Sequence, residues 1–161
     1  MTPDSYIDLV LKRSYWKGRW PYLSEAIDFA KQCRLKDSLE VLELGAYGAP
    51  IVVDSDIMDL SGKDVKYQQD ATNVPWNIPD KKYSVFIALQ VWEHLGDKQK
   101  EVFAEVQRIA KYAILSFPLN WNCPGDCHHG ITEEKINEWT LFAEPLKKIK
   151  VGSRIVYFFK F

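Results

Sequence analysis

One stretch constrains what this chain can fold into. Leu39-Glu40-Val41-Leu42-Glu43-Leu44 is a short apolar run that stops abruptly at Gly45-Ala46-Tyr47-Gly48. Such a run reads as a buried strand that ends where glycine lets the backbone turn tightly. Glu43 lies inside the apolar run, one residue before its last member. Burying an unpaired carboxylate is costly, so simple packing is a poor reason for it. Two readings remain open at this point. Glu43 stands at the carboxyl end of a strand and faces a ligand, as happens in open α/β sheets, or it forms a structural ion pair beneath the turn.

The rest of the chain supplies the elements around that strand. Tyr6–Leu11 reads as a short amphipathic helix. The aromatic and basic run Tyr15–Tyr22 is either an aromatic lid packed on the core or one wall of a pocket. Ser24 is an expected N-cap for a helix with Ala26, Ile27, Phe29 and Ala30 on one face, fading near Cys33–Leu35. Residues 1–35 thus form an N-terminal helical and aromatic cap, and Lys36-Asp37-Ser38 turns into the strand. Pro50 disfavours a helix straight after the glycines. The short distance to Asp59 leaves little room for a full crossover helix, so an extended passage into a strand ending at Asp59 is expected.

Val65–Asp70 alternates as a third short strand, and Ala71–Asp80 is a loop with two prolines. Tyr83–Val91 is the strongest buried strand. Asp97 is an expected cap for a helix carrying Val102, Phe103, Val106 and Ile109 on its apolar face. Tyr112–Pro118 is another buried strand, followed by the loop Leu119–Gly130. Thr132 caps the short helix Glu133–Trp139, and runs on either side of Gly152-Ser153 read as a β-hairpin. The alternation of strands and helices gives an α/β class, and 161 residues without an interdomain linker suit a single domain over 1–161.

Composition narrows the function. Net charge is −1, with 21 basic and 22 acidic side chains, so no nucleic-acid partner is favoured on electrostatic grounds. No apolar run approaches the roughly 20 residues of a membrane span. The N-terminus lacks the basic and apolar regions of a signal peptide. Three cysteines form no dense framework, which reads as a reduced, cytoplasmic protein. The oligomeric state is left open.

Four blocks taken in order resemble the class I S-adenosylmethionine-dependent methyltransferases, over roughly Leu39–Trp121. Val41-Leu42-Glu43-Leu44-Gly45-Ala46-Tyr47-Gly48 is similar to the cofactor glycine motif, in a shortened form without the usual helix after it. Asp59, followed by Leu60, stands where the family places the acid that bonds the ribose hydroxyls. Asp70-Ala71, with Val74-Pro75-Trp76 behind, resembles the adenine block. Leu89-Gln90-Val91-Trp92-Glu93-His94-Leu95 resembles the motif near the transferred methyl group. The resemblance implies a Rossmann-like, mostly parallel sheet with helices on both faces and an antiparallel C-terminal hairpin. It implies S-adenosylmethionine as cofactor, held by Glu43, Gly45, Ala46, Gly48, Asp59, Leu60, Asp70, Ala71 and Gln90. The implied reaction is methyl transfer to a small-molecule or sugar-like acceptor, at O or N. An alternative is a catalytically inactive module that keeps the fold and binds a partner. A dinucleotide-binding domain fits less well, since a helix should open directly from the glycine turn.

Candidate bases for an acceptor proton are His94, His128 and His129, because imidazole titrates near neutral pH. Each has a plainer reading. Glu93-His94 would cap and brace the following helix, and His128-His129 would be a solvated loop pair. Cys123, Cys127, His128 and His129 also raise zinc. Adjacent histidines do not easily share one tetrahedral ion, and no second ligand pair stands elsewhere at the usual spacing, so no metal site is expected. Trp121 and Trp139 are candidates to line an acceptor pocket, with core packing the plainer reading for Trp139.

Overall fold

The computed structural model describes all residues except Ser38, Leu39 and Tyr47, and does not describe the side chains of residues 34–37. The start of the first strand at Leu39, the Ser38 end of the turn before it and the Tyr47 position of the glycine motif therefore lie outside the described residues. The chain runs through α1 (Pro3–Lys12), a 3-10 turn (Ser14–Trp16), α2 (Trp20–Asp37), β1 (Glu40–Leu44), β2 (Asp56–Asp59) and β3 (Tyr67–Gln68). It continues through β4 (Tyr83–Leu89), a 3-10 turn (Trp92–His94), α3 (Gln99–Ile109), β5 (Ala110–Pro118), α4 (Glu133–Trp139), β6 (Lys147–Val151) and β7 (Arg154–Lys160).

Seven strands form one sheet in the order β3-β2-β1-β4-β5-β7-β6. The pairings from β3 across to β5 are parallel, and β7 runs antiparallel to both β5 and β6. Strand alternation sorts the core into two layers, because neighbouring residues point to opposite faces. Leu42, Leu44, Phe86, Ala88, Leu115 and Tyr157 pack with Val102, Phe103 and Val106 of α3 and with Ile136 of α4. Val41, Val85, Ile87, Ile114, Val156 and Phe158 pack with Leu23, Ala26, Ile27 and Ala30 of α2. Helices therefore cover both faces. Each large side chain that is fully buried contributes roughly 1.5–3 kcal/mol. Among the described residues, no helix is long and apolar enough to cross a membrane.

Several boundaries differ from the sequence reading. The α2 helix begins at Trp20, not after Ser24, and it continues to Asp37 where a turn was expected. The cap comes from another helix: the Tyr6 hydroxyl of α1 accepts from Arg19 N–H (3.0 Å) and Trp20 N–H (3.1 Å). Ser24 instead donates to the Pro21 carbonyl within the first turn. Lys98, not Asp97, occupies the cap position of α3 and makes no side-chain capping bond. Successive turn bonds, Leu95 N–H to Trp92 O and Lys98 N–H to Leu95 O, lead the chain into that helix. The third strand shortens to Tyr67–Gln68, paired with Met58 and Asp59. Thr132 caps α4 as expected, accepting from Lys135 N–H.

The passage from Ala46 to Ser55 contains no helix among the described residues, in line with the extended connection expected from Pro50. Glu43 holds it in place. Its carboxylate accepts from Ile51 N–H (2.9 Å), Val52 N–H (2.8 Å) and the Ser55 hydroxyl (2.8 Å). A carboxylate here does for an irregular loop what a helix would do internally: it satisfies buried backbone donors. At the head of the passage, Gly45 has φ +66°, and a Cβ there would lie 2.7 Å from Val91 Cγ2. Both the backbone angle and the close approach require glycine.

Two outcomes follow. Gly45→Ala lowers unfolding free energy by roughly 1–3 kcal/mol in urea denaturation. In a double-mutant cycle Val91→Ala relieves the contact part of that loss, and the backbone part persists. Glu43→Gln replaces one acceptor oxygen by a donor facing an N–H or hydroxyl donor, and costs roughly 1–3 kcal/mol.

Candidate functional site

The sheet reverses its strand order between β1 and β4, and in such sheets ligands bind in the crevice beyond the carboxyl ends at that reversal. The crevice here is lined by Glu43, Gly45, Ala46 and Ala49 on one side and by Tyr15, Trp16, Arg19 and Tyr22 on the other. The aromatic and basic run therefore serves in both of its expected roles. Trp16 and Tyr22 are buried in the α2-side core, and both also line the crevice. Glu43 is only 3% exposed and reaches the crevice wall from beneath. Burial pushes its carboxyl up, against the three donors that favour the anion.

A second cleft continues from the glycine turn. Ala46 and Gly48 line it together with Asp59, Ser61, Gly62 and Val65. The parallel register sets this neighbourhood, with Leu44 beside Met58 and Gly45 N–H donating to the Met58 carbonyl at 3.0 Å. Asp59 is half-buried at the end of β2, and its Oδ1 accepts from Leu60 N–H (2.8 Å). Leu60 itself is exposed.

The Asp70-Ala71 block follows β3. Asp70 is turned to its own loop, where Oδ1 accepts from Thr72 N–H and the Thr72 hydroxyl, both at 2.8 Å. These donors hold its carboxyl below the ordinary range. Ala71 is buried, and its carbonyl accepts from Trp76 Nε1 (3.0 Å). Trp76 stacks on Phe86, and its backbone N–H donates to Glu105 of α3 at 2.7 Å. The adenine-block loop is thus fastened to the sheet and to α3.

Beyond β4, Gln90 has φ +60°, an uncommon conformation for a residue with a side chain. Ser116 of β5 takes up its polar groups: Gln90 N–H and Nε2 both donate to Ser116 Oγ, at 2.9 and 3.1 Å. Gln90 Oε1 accepts from Arg154 Nε of β7 (3.1 Å). The Arg154 guanidinium also lies over the Tyr22 and Trp121 rings. Gln90 thereby joins β4, β5 and β7 at one point on the rim.

The structure sorts the three histidines. His94 and His128 meet edge to face, with centroids 5.2 Å apart. Cys127 Sγ lies 3.3 Å from His94 Nδ1 and 3.5 Å from His128 Nδ1. His129 is separate from them, its Nδ1 accepting from Cys123 N–H (3.1 Å). His94 does not cap the following helix, since α3 starts only at Gln99. Partial burial and the neighbouring His128 hold its imidazole below the ordinary value, with Asp126 opposing. Trp121 is 40% exposed, with its ring edge against His128, whereas Trp139 is core against Phe117.

Glu93 is the residue that sequence reasoning passed over. It was paired with His94 as a helix brace, yet its side chain is enclosed and neither carboxylate oxygen has a hydrogen-bond partner among the described residues. Burial pushes its carboxyl up to about 7, while His128, Arg154 and Arg19 pull it the other way. Its Oε1 lies 3.5 Å from His128 Nε2. The signal was present in the sequence, because Glu93 is a carboxylate among Val91, Trp92 and Leu95, the same pattern that singled out Glu43.

No protein-family profile matches this chain, and no curated protein sequence matches it. Solved structures do. A SAM-dependent methyltransferase from Aquifex aeolicus aligns over 81% of this chain and 86% of its own, at 14% identity and a TM-score of 0.58. The N-methyltransferase NodS from Bradyrhizobium japonicum WM9 aligns over 87% of this chain and 96% of its own, at 12% identity and a TM-score of 0.58. The [4+2]-cyclase SpnF aligns over 80% of this chain and 61% of its own, at 16% identity and a TM-score of 0.55. Sheet order, the single reversed strand and these matches together show that the chain has the fold of the class I S-adenosylmethionine-dependent methyltransferases.

Proposed function

We propose that this protein transfers a methyl group from S-adenosylmethionine to an oxygen or nitrogen of a small-molecule or sugar-like acceptor, in the cytoplasm. One observation carries the reading: the glycine turn at the reversal of strand order opens into the same cleft as Asp59. A carboxylate and a bare backbone turn sharing a cleft suit a ligand that has a diol at one end and an amino acid at the other.

The residues fit the cofactor in distinct ways. Gly45, Ala46 and Gly48 would take its methionine end, because their small or absent side chains leave the backbone open to close approach. Glu43 would act through the Ile51–Ser55 passage, since its carboxylate is already engaged there. Asp59 and the Leu60 backbone would meet the ribose, and Asp70 and Ala71 the adenine. Gln90 would fix the rim near the sulfonium. The cofactor supplies an activated methyl group, so the protein's task is orientation and exclusion of water. Tyr15, Trp16 and Tyr22 supply an apolar wall over the crevice. An acceptor proton would be taken at the far rim, beyond β4 and β5, where His94 and His128 stand and His129 borders the same loop.

A second reading has its own support. The fold is shared with a [4+2]-cyclase, and the glycine passage lacks a helix among the described residues. A module that binds a partner without methyl transfer accords with both.

Calorimetric titration with S-adenosylhomocysteine separates the two. The methyltransferase reading expects micromolar binding by the wild-type chain, weakened roughly 10-fold or more by Asp59→Ala and by Asp70→Ala, as loss of a charge-assisted hydrogen bond implies. A folded wild-type chain that binds neither S-adenosylhomocysteine nor S-adenosylmethionine supports the module instead.

A further inference from the structure

The geometry points to a binding site for a divalent metal ion of the zinc class, formed by His94, Cys127 and His128. Three potential ligand atoms, one from each residue, lie within 4.8 Å of one another. The two edges from sulfur fit a tetrahedral ion. Bonds of about 2.3 Å to sulfur and 2.0–2.1 Å to nitrogen set the ligand atoms about 3.5 Å apart. Cys127 Sγ stands 3.3 Å from His94 Nδ1 and 3.5 Å from His128 Nδ1. One thiolate and two imidazoles form a donor set that favours zinc over the oxygen-seeking magnesium and calcium.

The fold supplies what the spacing of the loop alone lacks. Cys123 and His129, the other two residues of the loop cluster, are turned to one another through Cys123 N–H and His129 Nδ1. His94 takes their place, brought in by the 3-10 turn after β4, 33 positions from Cys127 in sequence. Cys127 and His128 are adjacent in sequence, yet the bend of the loop makes their ligand atoms converge.

The surroundings also fit an ion. The carboxylate of Asp126 lies against His128 Nδ1 and accepts from His128 N–H (2.8 Å); an ion on Nδ1 would displace it from that nitrogen and keep its negative charge beside the cluster. On the other side of the ring, His128 Nε2 faces the enclosed carboxylate of Glu93 at 3.5 Å. A metal-bound histidine characteristically directs its second ring nitrogen to a carboxylate, which fixes the tautomer. Glu93 is otherwise buried with both oxygens unpartnered, and this arrangement accounts for it. Three protein ligands leave a fourth position for water or an oxygen-bearing ligand, whose proton the ion would make easier to remove.

Cobalt(II) titration of the reduced 161-residue chain tests the site without calling on methyl transfer, and zinc affinity follows from competition with a chromophoric chelator. The expected result is about one equivalent of ion per chain with tetrahedral cobalt bands and a thiolate-to-cobalt charge-transfer band. Cys127→Ser abolishes the charge-transfer band. His94→Ala and the gentler His94→Gln weaken zinc binding roughly 10-fold or more, with folding checked by circular dichroism. Cys123→Ser and His129→Ala leave both readouts as in the wild type. Absence of stoichiometric binding by the folded, reduced wild-type chain overturns the site. So does binding that depends on Cys123 or His129 and ignores His94. Either failure leaves cofactor binding, read separately with S-adenosylhomocysteine, where it stands.

Discussion

The carboxylate of Glu43 is the constraint on which the glycine-turn side of the sheet depends. A parallel sheet needs a crossover between β1 and β2, and a helix would normally supply it. This chain crosses without one among the described residues, and the donors of Ile51, Val52 and Ser55 find their acceptor in a side chain projecting from the strand itself. Fixing that passage fixes the mouth of the cleft, because Ala46, Gly48 and Pro50 lie along it and Asp59 is the next strand's end. The β1–β2 connection, the glycine turn and the approach to Asp59 are therefore set by one buried carboxyl group. Its location is not a compromise with packing, because two backbone N–H groups and the Ser55 hydroxyl converge on it.

A second buried carboxylate plays the opposite part. Glu93 is enclosed in the 3-10 turn after β4 with no hydrogen-bond partner among the described residues, and the His128 ring stands 3.5 Å away. Two acids in apolar runs thus look alike in sequence and differ in three dimensions. Glu43 is satisfied by residues eight to twelve positions further along. Glu93 faces a loop that arrives after the next strand. The first supports a scaffold, and the second is left facing a histidine across the rim.

Much of the fold was legible because its signals are local. The strand at Tyr83–Leu89 is apolar on both faces, as a central parallel strand must be. Pro50 and the short spacing to Asp59 foretold the helix-free passage, and Gly152-Ser153 foretold the hairpin. The errors fell where a distant partner overrides a local preference. Ser24 is a good cap in isolation, but Tyr6 reaches over from α1 and starts the helix five residues sooner. Asp97 lost its role to a run of backbone turns. In the site, the four methyltransferase-like blocks were readable as a series. The grouping of His94 with Cys127 and His128 was not, because it depends on how the loop after β5 folds back over the turn after β4.

Strand order in space and order along the chain differ most at β7. It is inserted between β5 and β6 and carries Arg154, which bonds Gln90 and rests over Tyr22 and Trp121. During synthesis, β1, β4 and β5 leave the ribosome well before Arg154–Lys160. Until those residues dock, β5 presents nine residues of almost wholly apolar, unpaired edge. Such an edge is a template for pairing with another chain. The nascent protein is therefore most prone to aggregate in that interval, and the strand that ends the hazard is the one that completes the rim.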